Sequence, residues 1–176
     1  MDDFTDPETD NSRRTGRWMY VVAWLLLLAL FYSFFSDRIE RLYNPNQQLQ
    51  GQVVNGVPEV QLKRNRQGHY LTQAQINGHP VVMLVDTGAT EISIPSSVAE
   101  RLELPDGARV PVNTANGRVT VRQTRISQLD IGPLRWRDLS AHINPGYQGE
   151  EILLGMNALK HLELIQRDGV LTLRQY

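Results

Sequence analysis

The first group in this chain that could do chemistry is an aspartate at the end of an apolar run. In Val81 to Pro95, VVMLVDTGATEISIP, apolar residues lead into Asp86, the pattern breaks at Thr87, Gly88 and Ala89, and Ile92, Ser93 and Ile94 resume it. That order reads as a buried strand, a tight loop carrying a carboxylate, and a second short strand ended by Pro95. An ionised carboxylate there is costly to desolvate, so it must be hydrogen-bonded, paired or shifted in pKa. The bland alternative is an ordinary turn, because Asp, Thr and Gly all favour turns. Composition removes several other chemistries. The chain has no cysteine, which excludes thiol catalysis, disulfides and cysteine metal sites. His69, His79, His142 and His161 have no metal-ligand spacing and are expected in loops or on the surface, so neither a metal nor a cofactor is predicted. A net charge of -1 with acids and bases interspersed gives no nucleic-acid footprint. No G-x-x-x-x-G-K, H-E-x-x-H or G-x-S-x-G occurs.

The surroundings of the aspartate narrow the choice. Ala89 follows the Asp86-Thr87-Gly88 triplet directly, and a later apolar strand ending in glycine, Ile152-Leu153-Leu154-Gly155, opens a helix-like segment. With these motifs the chain, over about Glu59 to Tyr176, resembles the retroviral-type (retropepsin-like) aspartic proteases, most closely their membrane-anchored bacterial members. The resemblance implies that Asp86, Thr87 and Gly88 are the catalytic triplet and that the later strand packs beneath them. It implies that Ala89 and Thr90 form the adjoining peptide-binding wall. It also makes the hairpin tip Thr114, Ala115, Asn116 and Gly117 part of a flap that closes over bound peptide, where the pattern alone fits an ordinary sheet hairpin equally well.

Hydrolysis by a carboxylate pair needs one acid to deprotonate water and a protonated neighbour to polarise the carbonyl. Two such groups a few ångströms apart share a proton and titrate as one coupled pair, as aspartic proteases do in general. The chain has a single D-T-G, so a working site of this type requires Asp86 of a second copy across a two-fold axis. The Thr87 hydroxyl would hydrogen-bond around that axis and Gly88 would supply a backbone carbonyl. One departure bears on the dimer. Where retroviral enzymes carry an aspartate after D-[ST]-G-A and an arginine after the later glycine, this chain has Thr90 and Met156. The supporting ion pair is therefore absent. The competing reading is a catalytically silent protease-like domain acting as a peptide-binding or assembly module, and a third is a structural β-domain on a membrane anchor.

The elements that must position these residues can be read in order. Residues 1–17 begin with five acids and no base before Arg13, a composition expected of a disordered tail. Trp18 to Phe35 runs without a charge, about 27 Å as a helix, so residues 18–36 are expected to be a transmembrane helix in a lipid bilayer. Arg13, Arg14 and Arg17 before it outnumber Arg38 and Arg41 after it, which points the large domain out of the cytoplasm, into the periplasm of a bacterium. Residues 37–58 read as a polar linker. From Glu59 the signals are short strands: a first strand over Glu59 to Arg66, hairpins around Asn77-Gly78 and Asn116-Gly117, and a turn at Leu129 to Leu134. A candidate strand at Ala141 to Ile143 and a last hairpin around Asp168-Gly169 follow. Ser97 to Glu100 has capping-box spacing, and Met156 to Leu162 reads as a short helix. The predicted fold is all-β, a retropepsin-like closed barrel over residues 59–176 with one or two short helices.

Overall fold

The computed structural model describes residues 9–114 and 117–176. The chain divides into two compact units between Glu40 and Arg41. Helix α1 (Thr9–Tyr43) makes up the described part of the first as far as Glu40, and its last turn belongs to the second. Its Arg17–Tyr43 portion is long and apolar enough to cross a membrane. Large side chains from Trp18 to Phe35 are exposed, Tyr32 at 76%, where a core helix of a water-soluble domain would bury them. Residues 9–17, expected as a disordered tail, are helical, and the helix also continues past residue 36. Once an apolar run has nucleated a helix, each further residue adds a hydrogen bond at little cost, so composition locates such ends poorly. Residues 1–8 lie outside the described part.

The second unit is built almost wholly of antiparallel hairpins. Strands β1 (Gln50–Val54) and β2 (Val57–Lys63) are followed by β3 (Leu71–Ile76), β4 (His79–Val85) and β5 (Ile92–Pro95). Helix α2 (Ser96–Arg101) then leads to β6 (Arg109–Thr114), β7 (Gly117–Ile131) and β8 (Leu134–Asn144). After β9 (Ile152–Leu154) and α3 (Met156–Leu159), β10 (Leu162–Arg167) and β11 (Val170–Gln175) close the chain. The hairpin turns form where the sequence asks for them. Asn77 and Gly78 take φ of +51° and +83°, the paired left-handed geometry whose twist matches the flanking strands. Asn55-Gly56 and Asp168-Gly169 turn in the same way.

A four-stranded sheet has the order β1-β2-β11-β10, and a seven-stranded sheet the order β3-β4-β9-β5-β8-β7-β6. Strand β3 also pairs with β7 through Gln75 and Ile76, so the larger sheet returns on itself. This is the predicted all-β class. One continuous core joins both sheets. Val60 and Leu62 from β2, Met83 from β4, Ile152 and Leu154 from β9 and Leu173 from β11 are completely buried. Six such side chains contribute on the order of 10 kcal/mol by removal from water.

Three expectations are corrected. The polar linker at 37–58 is structured for most of its length, because it is helical to Tyr43 and pairs as β1 with β2 from Gln50 to Val54. Between these, Asn46 is buried, its amide nitrogen donating to the carbonyls of Lys63 at 2.9 Å and Leu71 at 2.8 Å. The Ser97–Glu100 capping box does not form. Helix α2 starts at Ser96 after Pro95, with no side-chain cap. Finally, Leu134 to Asn144 is one strand, with Asp138 at φ +57° where the buried face changes from Leu134 and Trp136 to Ala141 and Ile143.

Candidate active site

The Asp86 loop is held from below by the chain that follows β9. Strands β4 and β9 run parallel with Val85 opposite Leu154, so the two chains leave the sheet side by side. There the Asp86 N–H donates to the Leu154 carbonyl at 3.1 Å. Met156 N–H donates to Ala89 O at 2.8 Å and Asn157 N–H to Thr90 O at 3.0 Å. Gly155 makes this approach possible: a Cβ on it would lie 2.4 Å from the Glu91 carbonyl oxygen and 2.9 Å from that of Ala89. No other residue fits between these backbones without moving one of them. The buried apolar strand therefore fixes the loop through main-chain bonds, which do not depend on rotamers.

Within the loop the carboxylate has a defined orientation. The Gly88 N–H donates to Asp86 Oδ1 at 2.8 Å, and the Ala89 N–H donates to the Asp86 carbonyl at 3.3 Å. Asp86 is half-buried, and Thr87 and Gly88 are exposed beside it. Among the described residues the Thr87 hydroxyl has no hydrogen-bond partner. Asp86, Gly88, Ala89 and Thr90 line a cleft of about 760 Å³. The opposite side is the β6–β7 hairpin, which contributes Val112 and Thr114 from one strand and Val119 and Val121 from the other. Thr114 thus lines the cleft, and its hydroxyl donates to the Gly117 carbonyl at 2.8 Å across the turn. Gly117 takes φ of +109°. Ala115 and Asn116 lie outside the described residues.

Three residues near the site escaped the sequence reading. Asn157 ties the loop sideways: its Oδ1 accepts from the Ile92 N–H at 3.1 Å and its Nδ2 donates to the Ser140 carbonyl at 2.8 Å. No motif marks such a residue, since all its partners are backbone groups distant in sequence. His142, expected on the surface or in a loop, sits on β8 in the cleft wall, with Nε2 3.0 Å from Glu91 Oε2. Tyr147, from the loop after β8, lines the same cleft. Burial raises its pKa first, and the negative charges of Glu151 and Asp86 raise it further, so its hydroxyl stays protonated through the neutral range. Among the described residues no group of three His, Asp or Glu side chains is arranged to hold a metal ion.

A half-buried carboxylate pinned by an amide at the bottom of a cleft, beneath a hairpin, can activate water for attack on an extended chain. Known proteins agree with that chemistry. The family profile described as "gag-polyprotein putative aspartyl protease" matches residues 72–161, which include both the Asp86 loop and β9. A protein of Sinorhizobium sp. described as "Uncharacterized protein in cobV 5'region" is 33% identical over 162 residues, covering 88% of this chain and 69% of that protein. The crystal structure of a retropepsin-like aspartic protease from Rickettsia conorii superposes with a TM-score of 0.58 at 25% identity, covering 73% of this chain and 96% of the other. The chain belongs to the family of retropepsin-like aspartic proteases.

Proposed function

We propose that this chain is a membrane-anchored aspartic endopeptidase in which two Asp86 carboxylates, one from each subunit of a homodimer, activate the water that hydrolyses a peptide bond. The observation that carries the proposal is the isolation of Asp86. It is oriented by Gly88 at the base of a cleft in a chain of an aspartic protease family, and among the described residues the one other carboxylate lining that cleft, Glu91, has its Oε2 3.0 Å from His142 Nε2. A coupled pair therefore has to come from a second copy. The exposed Thr87 hydroxyl supports the same reading, as a group left for a symmetry mate.

In this mechanism Thr87 and Gly88 complete the catalytic triplet, Ala89 and Thr90 form the wall along the peptide, and Thr114 to Gly117 belong to a flap. The substrate is an extended peptide that adds its backbone to these edges, with no metal or cofactor. Thr90 and Met156 supply no ion pair to the dimer, and tethering both subunits to one membrane raises their effective concentration. Helix α1 is the anchor, and the arginine asymmetry about it directs residues 59–176 out of the cytoplasm, to the periplasmic side of a bacterial inner membrane. A C-terminal reporter active only in the cytoplasm contradicts that orientation.

The activity is tested by replacing Asp86 with Asn, which is nearly isosteric but cannot take up a proton as a carboxylate does. Cleavage of a peptide library by the wild-type chain and its loss in Asp86→Asn, with fold and dimer retained, are the expected results. Cleavage by the variant at the wild-type rate rejects the mechanism and leaves a protease-like binding module.

A further inference from the structure

The cleft holds a second acid that the proposed chemistry does not use. Asp86 and Glu91 both line it, no lysine or arginine does among the described residues, and the single base there is His142. Glu91 is aimed by its own backbone: its carbonyl packs against Gly155, and the following N–H, on Ile92, is held by Asn157. His142 Nε2 lies 3.0 Å from Oε2, and Oε1 accepts no hydrogen bond among the described residues. The two side chains are 19% and 31% exposed, His142 and Glu91 respectively, which leaves the carboxylate open to the cleft but shielded from bulk water.

We propose that Glu91, with His142 beside it, forms a side-chain subsite that selects a lysine or arginine of the peptide. The inference rests on the peptidase reading for its substrate class. A partly desolvated carboxylate with a free oxygen gives a charge-assisted hydrogen bond to an ammonium or guanidinium, stronger than any it makes to a neutral side chain. The neighbours of His142 on the flanking strands are uncharged, Ser93 on β5 and Gln123 on β7. Arg122, beside Gln123, is bound to Asp106 at 2.6 Å, and among the described residues the remaining titratable groups lining the cleft are Asp86 and Tyr147. Helix α3 presents Asn157 towards β8 at the Ser140 carbonyl. In a two-fold dimer the subsite occurs twice, so the basic preference falls at matching positions on both sides of the scissile bond.

The test uses the full chain in detergent and peptides that differ only in Lys, Gln or Glu at one position. Binding is measured on Asp86→Asn protein, so that the subsite is read without turnover, and kcat/KM on the wild type gives the catalytic counterpart. The expected Lys-over-Gln preference is about tenfold, the scale of one charge-assisted hydrogen bond. Glu91→Gln abolishes it, and Glu91→Lys turns it towards Glu. A Lys-over-Gln ratio near one in the parent protein, or one unaffected by Glu91→Gln, overturns the subsite. Preference in binding without any cleavage by the wild type keeps the subsite and rejects the peptidase reading instead.

Discussion

The two sides of the cleft are built on opposite plans. Its floor, the Asp86 loop, donates a main-chain hydrogen bond to Leu154 and accepts others from Met156 and Asn157, next to the fully buried Ile152 and Leu154. Its roof, the β6–β7 hairpin, pairs with itself alone near the tip among the described residues, where Arg109 to Asn113 are exposed or half-buried and Thr114 pairs with Gly117. In the proposed mechanism the first must place a carboxylate to a fraction of an ångström, and the second must admit a peptide. Positioning calls for many redundant bonds, and gating for few buried contacts.

Glycines on the two sides give the sharpest contrast. Gly155→Val drives a side chain into the carbonyls of Glu91 and Ala89, so we expect loss of about 3 kcal/mol or more in urea unfolding and at least a hundredfold loss of activity. Asn157→Ala should come next. It strands the Ile92 N–H and the Ser140 carbonyl, and about 1–3 kcal/mol of stability with roughly a tenfold fall in kcat is expected. A Cβ on Gly117 meets no atom within 4 Å among the described residues, so Gly117→Val is strained mainly by its positive φ; turnover should fall severalfold while stability drops by about 1–2 kcal/mol. Equal loss of stability from the Gly155 and Gly117 variants would erase the distinction. Hydrogen exchange offers a readout without mutation: amides of Val112 and Val119 should exchange well before those of Asp86 and Met156, and peptide should slow only the former.

The smallest effect is expected from outside both regions. Glu59 is buried in the four-stranded sheet with Arg174 Nε 2.7 Å from its carboxylate. Hydrogen bonds from Arg174 first, and then from Gln61 and Gln52, hold its pKa below the ordinary glutamate range against the opposing cost of burial. Because the folded-state pKa is the lower one, the stabilisation is complete above the ordinary glutamate pKa and drains away as pH falls through the depressed value. Thermal unfolding of the wild type should therefore drop by a few degrees between about pH 5 and pH 3, and Glu59→Gln should flatten that slope. Roof exchange rates should be unchanged by the substitution.

What the sequence made legible follows the same division. Local rules were enough for the hairpins, because Asn77-Gly78 and Asp168-Gly169 supply the left-handed pair a two-residue turn needs. The Asp86 loop was legible because an apolar run with a polar break has few structural solutions. Strand β1 was not, since all five of its residues are exposed and edge pairing leaves no alternation to read. Asn46, Asn157 and the Glu91–His142 pair were missed for one reason: each bonds to partners distant in sequence, and nothing in the residue itself announces them. The capping box failed because Pro95, with ψ of 145°, starts the helix one residue before the serine that was to cap it.

The central claim is that two copies of Asp86 make one active site, and mixing tests it most directly. Wild-type and Asp86→Asn chains are combined at fixed total concentration, allowed to exchange subunits in detergent, and assayed on one peptide. If both carboxylates are required, an equal mixture retains about one quarter of the wild-type activity, because only dimers with two wild-type chains cleave. If each chain works alone, about one half remains, and the shared site is contradicted.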